Sequence, residues 1–140
     1  MQGTFHWMRI QVFCYATENE DLIRSVMADI AGDEVVEDVS ESEHGNPLLI
    51  LSKEMTKQKD FVRVFGKLGP DVITEIKSDI ENRVDDDCVF YLRLDKQKLV
   101  GGEYAIAHHG DVMSITCKTA SHPARKEIAV RNLLEFLSSL

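Results

Sequence analysis

The sequence of 140 residues has few of the features that mark secreted, membrane or metal-binding proteins. Its three cysteines stand far apart, at positions 14, 88 and 117, so neither a disulfide framework nor a zinc site is expected. No apolar run approaches the roughly 18 residues of a transmembrane helix. The chain does not open on the basic and then apolar segment of a signal peptide. These absences predict an intracellular, soluble protein without membrane association.

Basic residues are scarce in the first third of the chain, where the formal net charge of −8 is concentrated. Residues 1–46 carry 2 basic and 10 acidic side chains, residues 47–87 carry 7 and 9, and residues 88–140 carry 7 and 5. The charge therefore changes from −8 through −2 to +2 along the chain. Because binding follows local patches more than total charge, this composition disfavours non-specific nucleic-acid binding but leaves room for a local RNA site.

Hydrophobic periodicity predicts strands and helices in the order β-α-β-β-α-α-β-β-α. Residues 5–16 alternate with a period of two, which places His6 on the side of the aliphatic residues. A capping box over Thr17–Glu20 starts the first helix, and Gly32 ends it. The turn formers His44–Pro47 join strands over 35–43 and 48–55 into a hairpin.

The second half of the chain is predicted to contain two helices, two strands and a closing helix. The helices cover 57–68 and 71–84, and Gly69-Pro70 separates them. Strands over 88–95 and 112–120 flank an irregular connection, and Pro123 opens the closing helix at its first position. We expect one α+β domain over residues 1–140, with residues 1–4 as a short flexible start. Its helices pack on one face of a mixed or antiparallel sheet.

The two faces of the predicted sheet differ in character. The cysteines share the alternation class of the aliphatic residues, so we expect them to be buried and inert. The opposite face carries aromatic, cationic and hydroxyl side chains, namely Trp7, Arg9, Gln11, Phe13, Tyr15, Tyr91, Arg93, Ser114, Thr116 and Lys118. Rings that stack bases, set among cations that meet phosphates, are typical of single-stranded RNA platforms. The alternative is a face that packs against another protein, because an aromatic patch in water is unusual.

No motif in the sequence requires catalysis, a metal or a cofactor. The five histidines do not fall at helical metal-ligand spacing. The run Asp85–Asp87 is expected to be a solvated turn, and Gly101-Gly102 lacks the pattern of a phosphate-binding loop. The sequence therefore predicts a protein that is not an enzyme, with no catalytic residue, bound metal or cofactor.

Five segments in order carry a resemblance to a known family. They are His6-Trp7-Met8-Arg9-Ile10, His44-Gly45-Asn46-Pro47, Phe90-Tyr91-Leu92-Arg93-Leu94-Asp95-Lys96-Gln97, Gly110-Asp111 and His122-Pro123-Ala124-Arg125-Lys126. Together they resemble the archaeal RNA-binding protein family described as a predicted exosome subunit. The resemblance implies an archaeal, cytoplasmic protein of RNA processing or degradation. It also implies a fold similar to that of the ribosomal protein that binds 5S rRNA.

Two functions follow from these observations. The first is a non-enzymatic RNA-binding module that is an accessory of the exosome or of ribosome-associated RNA metabolism. Its expected RNA contacts are Trp7, Arg9, Phe13, Tyr91, Arg93, Lys96, Lys98, Lys118, Arg125 and Lys126. The second is a protein-interaction module that forms a homodimer, or docks a subunit of a complex, through its aromatic sheet face.

Overall fold

A computed structural model describes residues 3–140 of the chain. The elements are β1 (Phe5–Tyr15), α1 (Glu20–Ala31), β2 (Val36–Glu41), β3 (Pro47–Met55), α2 (Gln58–Leu68), α3 (Pro70–Ser78), α4 (Ile80–Arg83), β4 (Val89–Asp95), α5 (Lys96–Val100), β5 (Val112–Thr119) and α6 (Lys126–Ser138). The strands form an antiparallel sheet in the order β2-β3-β1-β5-β4. The fold class is therefore α+β, as the hydrophobic pattern predicts.

The predicted hairpin is confirmed. β2 pairs antiparallel with β3, from Val36 opposite Ser52 to Glu41 opposite Pro47. Every residue of β2 is exposed, whereas alternate residues of β3 are buried. Within the hairpin, β3 therefore contributes side chains to the core, and β2 lies at the edge of the sheet.

By the density of its contacts, the chain divides into two compact units. The first unit consists of the start of β1 through Arg9, with Glu54–Leu92 and Ile115–Leu140. The second unit consists of Ile10–Lys53 and Arg93–Ser114.

The core of the first unit is aromatic. The ring of Phe5 lies 5.2 Å from that of Phe61, 5.6 Å from that of Phe65 and 5.6 Å from that of Phe136, measured between centroids. Phe65 in turn lies 5.9 Å from Phe90 and 5.4 Å from Phe136. Edge-to-face and offset arrangements at such distances are the favourable ones for aromatic pairs. Five of the six phenylalanines of the chain are thus placed in one cluster.

The core of the second unit is aliphatic. Its buried side chains come from the inner faces of the strands and from α1, and include Ile10, Val12, Ile23, Met27, Ile30, Leu49, Leu51, Leu94 and Met113. One charged residue, Lys96, is buried in the same unit with no exposed surface. Cys14 of this unit is buried, as are Cys88 and Cys117 of the first unit, which confirms the predicted burial of all three thiols.

Several predicted boundaries are wrong, each for a local reason. The first helix is capped by Asn19, whose side chain accepts hydrogen bonds from the amides of Asp21 and Leu22, and Thr17 is not its cap. The predicted helix over 71–84 breaks at Asp79, where φ is −131° and ψ is 23°, into α3 and α4. The connection after β4 is not wholly irregular, because the Asp95 side chain caps the short helix α5 by accepting from Lys98 N–H.

Two further differences concern the ends of the fold. α6 begins at Lys126 with Arg125 as its N-cap residue, so Pro123 lies in the preceding turn and is not at the first helical position. Of the expected flexible start, Met1 and Gln2 lie outside the described residues. Thr4 is held by Gln58, which accepts from the Thr4 amide at 2.8 Å and donates to the Thr4 hydroxyl at 3.0 Å.

The alternation of β1 also contains one slip. Phe5 and Met8 are both buried, although a strict period of two would place residues 5 and 8 on opposite faces. His6, between them, is exposed. An extra residue of this kind is typical of a β-bulge, which shifts the side chains that precede it to the other phase. His6 therefore does not lie with the aliphatic residues, as the simple period of two predicted.

Candidate nucleic-acid interface

The outward strand residues of the first unit form one candidate surface, which we call the Trp7 surface. It consists of Trp7 and Arg9 on β1, Thr116 and Lys118 on β5, and Tyr91 on β4. The strand neighbours of Arg9, Tyr91, Thr116 and Lys118 are buried in the core, so these four side chains point away from it. Trp7 is half-buried between the exposed His6 and the buried Met8. Arg9 is exposed, and 45% of Tyr91 is exposed. Lys118, like Trp7, is half-buried, so the surface offers two rings and two cations that are at least partly accessible to solvent.

The acidic turn Asp85–Asp87 borders the Trp7 surface and binds two of its members. The Tyr91 hydroxyl donates to Asp85 Oδ2 at 3.1 Å, and Lys118 Nζ donates to the Asp87 carbonyl. The hydrogen bond from Tyr91 to the carboxylate raises the pKa of the Tyr91 phenol, so the ring stays neutral. The turn thus fixes the orientation of Tyr91 and Lys118, whereas Arg9 makes no ion pair with any residue that the structure describes.

The outward strand residues of the second unit form another surface, which we call the Phe13 surface. It consists of Gln11, Phe13 and Tyr15 on β1, Ser114 on β5 and Arg93 on β4. Phe13 is 37% exposed and Tyr15 is 42% exposed. The Ser114 hydroxyl donates to the Gln11 carbonyl at 3.4 Å. The outward placement predicted for all of these residues is confirmed.

Arg93 is exposed, and within residues 3–140 its guanidinium forms no ion pair. Asp95, two residues further on, is instead engaged by His109 Nε2 at 3.0 Å and by the Lys98 amide at 3.0 Å. Arg93 is therefore a cation without an ionic partner in the described part of the chain.

Lys96 is buried and is not available to RNA, so its assignment as an RNA contact is wrong. Its Nζ lies 2.6 Å from Glu18 Oε1, 2.8 Å from Asp111 Oδ1 and 3.0 Å from the Phe13 carbonyl. Its ammonium group also lies 4.7 Å from the centroid of the Tyr15 ring. Only 1% of the side-chain surface is exposed to solvent, so the ammonium charge interacts with groups of the protein and not with solvent.

The partners of Lys96 are connected through Gln97. Gln97 Nε2 donates to Asp111 Oδ2 at 2.9 Å and to Glu18 Oε2 at 3.3 Å. Burial opposes ionisation of Asp111, but hydrogen bonds from Gln97 and Lys96 outweigh it and lower the pKa of that carboxyl. Burial likewise opposes protonation of Lys96, yet Asp111 and Glu18 outweigh it and raise the pKa of the amine. Lys96 and Asp111 are therefore both charged throughout the physiological pH range. We call Lys96, Glu18, Asp111 and Gln97 the Lys96 network.

The remaining expected contacts lie off the strands. Lys98 is exposed on α5, Arg125 is the exposed N-cap residue of α6, and Lys126 is half-buried at the first position of α6. The structure therefore does not assign these three residues to either outward surface.

Four residues of the Phe13 surface and its border are not among the expected contacts. Gln11, Tyr15 and Ser114 were placed on the correct face by alternation, but nothing in the sequence distinguished them as contacts. Asp111 gave no signal beyond its place in the Gly110-Asp111 segment, because its partner Lys96 is distant in sequence.

No helix among residues 3–140 is long and apolar enough to cross a membrane. The same residues contain no group of three histidine, cysteine, aspartate or glutamate side chains placed to hold a metal ion.

Comparison with known sequences gives a consistent result. A family model described as RNA binding matches residues 7–119 of the chain. The RNA-binding protein PAB1135 of Pyrococcus abyssi is 30% identical over 144 aligned residues, which cover 94% of this chain and 93% of that protein. The matched region includes both outward surfaces and the Lys96 network.

Solved structures show the same fold. Mth689, a DUF54 protein from Methanothermobacter thermautotrophicus, superposes with a TM-score of 0.81 and 27% identity, covering 95% of this chain and 98% of that one. The DUF54 protein SSO0741 from Sulfolobus solfataricus has a TM-score of 0.72 at 18% identity, with coverages of 95% and 98%. At the latter identity the likeness concerns the fold alone.

Proposed function

Because the chain belongs to the RNA-binding family whose model matches residues 7–119, we propose that it binds single-stranded RNA through the Trp7 surface. The observation that carries this proposal is a partly solvent-accessible sheet face on which two aromatic rings stand among two cations. A helix or a second sheet would cover such a face if its role were to build the core. The relative named an RNA-binding protein supports RNA as the ligand.

The chemistry of each side chain fits a role in binding a flexible, single-stranded chain. Trp7 and Tyr91 offer ring faces on which bases stack, an interaction that tolerates any base. Arg9 is free to meet a phosphate, and Lys118 retains further ammonium protons beyond the one donated to Asp87. Stacking with phosphate contacts requires no bond to be made or broken. The proposed activity is therefore binding without catalysis and without a cofactor.

The cellular setting that we propose is RNA processing or degradation in the cytoplasm. The resemblance to predicted exosome subunits supports an accessory role beside the exosome, and a ribosome-linked role is compatible with the same surface. In either setting the protein holds single-stranded segments, and partner proteins perform the chemistry.

Trp7 is the one tryptophan of the chain, so its fluorescence reports directly on the proposed site. We expect a short oligouridylate to quench this emission saturably, because a base stacked on the indole changes its surroundings. Anisotropy of a labelled oligouridylate gives the affinity independently. The variant Arg9→Ala is expected to weaken binding, whereas Arg131→Ala on the exposed surface of α6 provides a matched control that removes the same charge elsewhere.

Two results would contradict this proposal. One is RNA binding by anisotropy with unchanged Trp7 emission and equal affinities for Arg9→Ala and Arg131→Ala. The other is the absence of RNA binding together with a salt-insensitive homodimer whose formation changes Trp7 emission. That second result would assign the face to protein interaction.

A further inference from the structure

The Phe13 surface contains a cleft. It has a volume of about 120 Å³ and lies wholly within the second unit. The cleft is lined by residues of β1, of the turn before β5 and of the start of β5. These residues are Gln11, Phe13, Tyr15, Gly110, Asp111, Val112 and Ser114. The cleft thus combines two aromatic rings with an amide, a hydroxyl and a carboxylate.

Phe13 and Tyr15 are the apolar part of this cleft. Phe13 is the exception among the phenylalanines, since the other five are buried in the first unit. Tyr15 is held from behind by the Lys96 ammonium group under its ring, and its backbone amide donates to Glu18 Oε1 at 3.0 Å. Two exposed rings, one of them fixed by buried groups, form a prepared surface for a flat apolar ligand.

Asp111 is the polar part that determines which ligand fits. Its carboxylate is 35% exposed, although each oxygen already accepts one hydrogen bond, from Lys96 at 2.8 Å and from Gln97 at 2.9 Å. A carboxylate has about four lone-pair positions, so one position remains on each oxygen. Two acceptor positions on one carboxylate match a ligand with two adjacent N–H donors.

We propose that this cleft binds a guanine base of the RNA chain, with the Watson–Crick edge on Asp111 and the ring against Phe13 and Tyr15. The inference rests on the proposed function, because it takes RNA as the ligand. Guanine carries two neighbouring donors on that edge, N1–H and the 2-amino group. Adenine and cytosine place a ring nitrogen acceptor beside their amino group, and uracil places its one N–H between two carbonyls, so each sets an acceptor against the carboxylate.

The neighbouring groups complete the recognition. The side-chain amide of Gln11 is available to donate to the guanine O6 atom. Arg93 on the adjacent strand is exposed and unpaired within the described chain, so it is placed to meet a phosphate of the bound nucleotide. The local charge therefore favours a neutral base in the cleft with its phosphate outside.

The test uses the full chain and a set of labelled oligouridylates that differ at one central position, which is guanosine, adenosine, cytidine, inosine or uridine. We expect the guanosine RNA to bind roughly tenfold more tightly than the all-uridine RNA, the size of one good bidentate base contact. Inosine retains N1–H and lacks the 2-amino group, so its affinity is expected to lie between the two. In Asp111→Asn the preference for guanosine should disappear while the affinity for all-uridine RNA is unchanged. The matched control is Asp86→Asn, at an exposed acidic position of the first unit.

The outcomes separate this inference from the function on which it rests. If no RNA binds, both fail. If all five RNAs bind equally, the Trp7 surface stands and the guanine site is wrong. The site is also wrong if a preference for guanosine persists in a folded Asp111→Asn, or if inosine binds as tightly as guanosine. Because the inosine comparison uses the unmodified protein, it decides the question even if Asp111→Asn does not fold.

Discussion

The two units of the chain are stabilised by opposite means. The first buries five phenylalanine rings against one another, whereas the second buries a lysine between two carboxylates. Apolar burial stabilises a fold directly, but buried ions lose hydration that their attraction only partly restores. The Lys96 network therefore serves to position neighbouring side chains more than to stabilise the fold. It fixes Tyr15 and Asp111, the two residues that give the cleft its ring and its acceptors.

The largest expected effect comes from a substitution in the phenylalanine cluster of the first unit. Phe65→Ala should lower the free energy of unfolding by about 3–5 kcal/mol, because it removes a buried ring and leaves a cavity. Since no ionisable group is involved, the loss should be equal at pH 7 and below pH 4. Denaturant unfolding gives the value. Val62→Ala on the same helix is the control, because Val62 is 45% exposed and such surface changes stay within about 0.5 kcal/mol. A strongly pH-dependent loss for Phe65→Ala would contradict this view of the first unit.

A loss of similar size is expected from the ionic side, but with a different pH dependence. Lys96→Met should cost about 3–5 kcal/mol at neutral pH, because it leaves Glu18 and Asp111 without their buried counter-charge. As the pH falls through the lowered pKa of Asp111, that carboxyl becomes protonated, so the difference between wild type and variant should shrink. Lys98→Met, at an exposed lysine two residues further on, should change little. A loss that is the same at all pH values would show that Lys96 acts by packing alone.

Asp111 sharpens the same point with a smaller effect. Its pKa in the folded protein lies below the ordinary value of 3.8, so its contribution is present above about pH 4 and is lost as the pH falls through the folded pKa. Asp111→Asn should cost about 1.5 kcal/mol at neutral pH, the low end for a hydrogen bond to a charged group, because the carboxyl is 35% exposed. Unfolding free energies of wild type and variant should converge on acidification. If they stay parallel down to pH 3, the carboxylate does not contribute as an ion.

The smallest effect tests the start of α1, the first helix of the second unit. Asn19→Ala should destabilise the protein by about 1 kcal/mol, because the side chain satisfies two free amides of α1. Thr17→Ala should have no measurable effect on the unfolding free energy. A larger loss of unfolding free energy for Thr17→Ala than for Asn19→Ala would contradict the Asn19 cap and support the capping box over Thr17–Glu20.

The sheet was predictable because its elements are defined by local patterns. The period of two over β1, the turn formers of the hairpin and the Gly69-Pro70 break are all visible within a few residues. The short helices α4 and α5 were not, since a single turn leaves little periodicity. The slip at His6 was also hidden, because the alternation of residue types along β1 gives no sign of it.

The candidate surfaces were predictable for a similar reason, and the Lys96 network was not. Alternation places Trp7, Arg9 and Tyr91 outward from their own strands. Lys96 follows a strand beside other basic residues and resembles an RNA contact, yet Glu18, 78 positions away, pairs with it. Such a pairing exists only after the chain has folded. The similarity to the ribosomal protein that binds 5S rRNA stays a prediction.

The salt dependence of RNA affinity tests the role of the Trp7 surface most directly. Each phosphate contact to a single strand adds about 0.7 to the slope of log affinity against log salt. We expect Arg9→Ala to reduce the slope for oligouridylate by about that amount with its unfolding free energy unchanged, and Arg131→Ala to leave the slope intact. Equal slopes for wild type and Arg9→Ala, or an equal reduction in Arg131→Ala, would contradict RNA binding at this face.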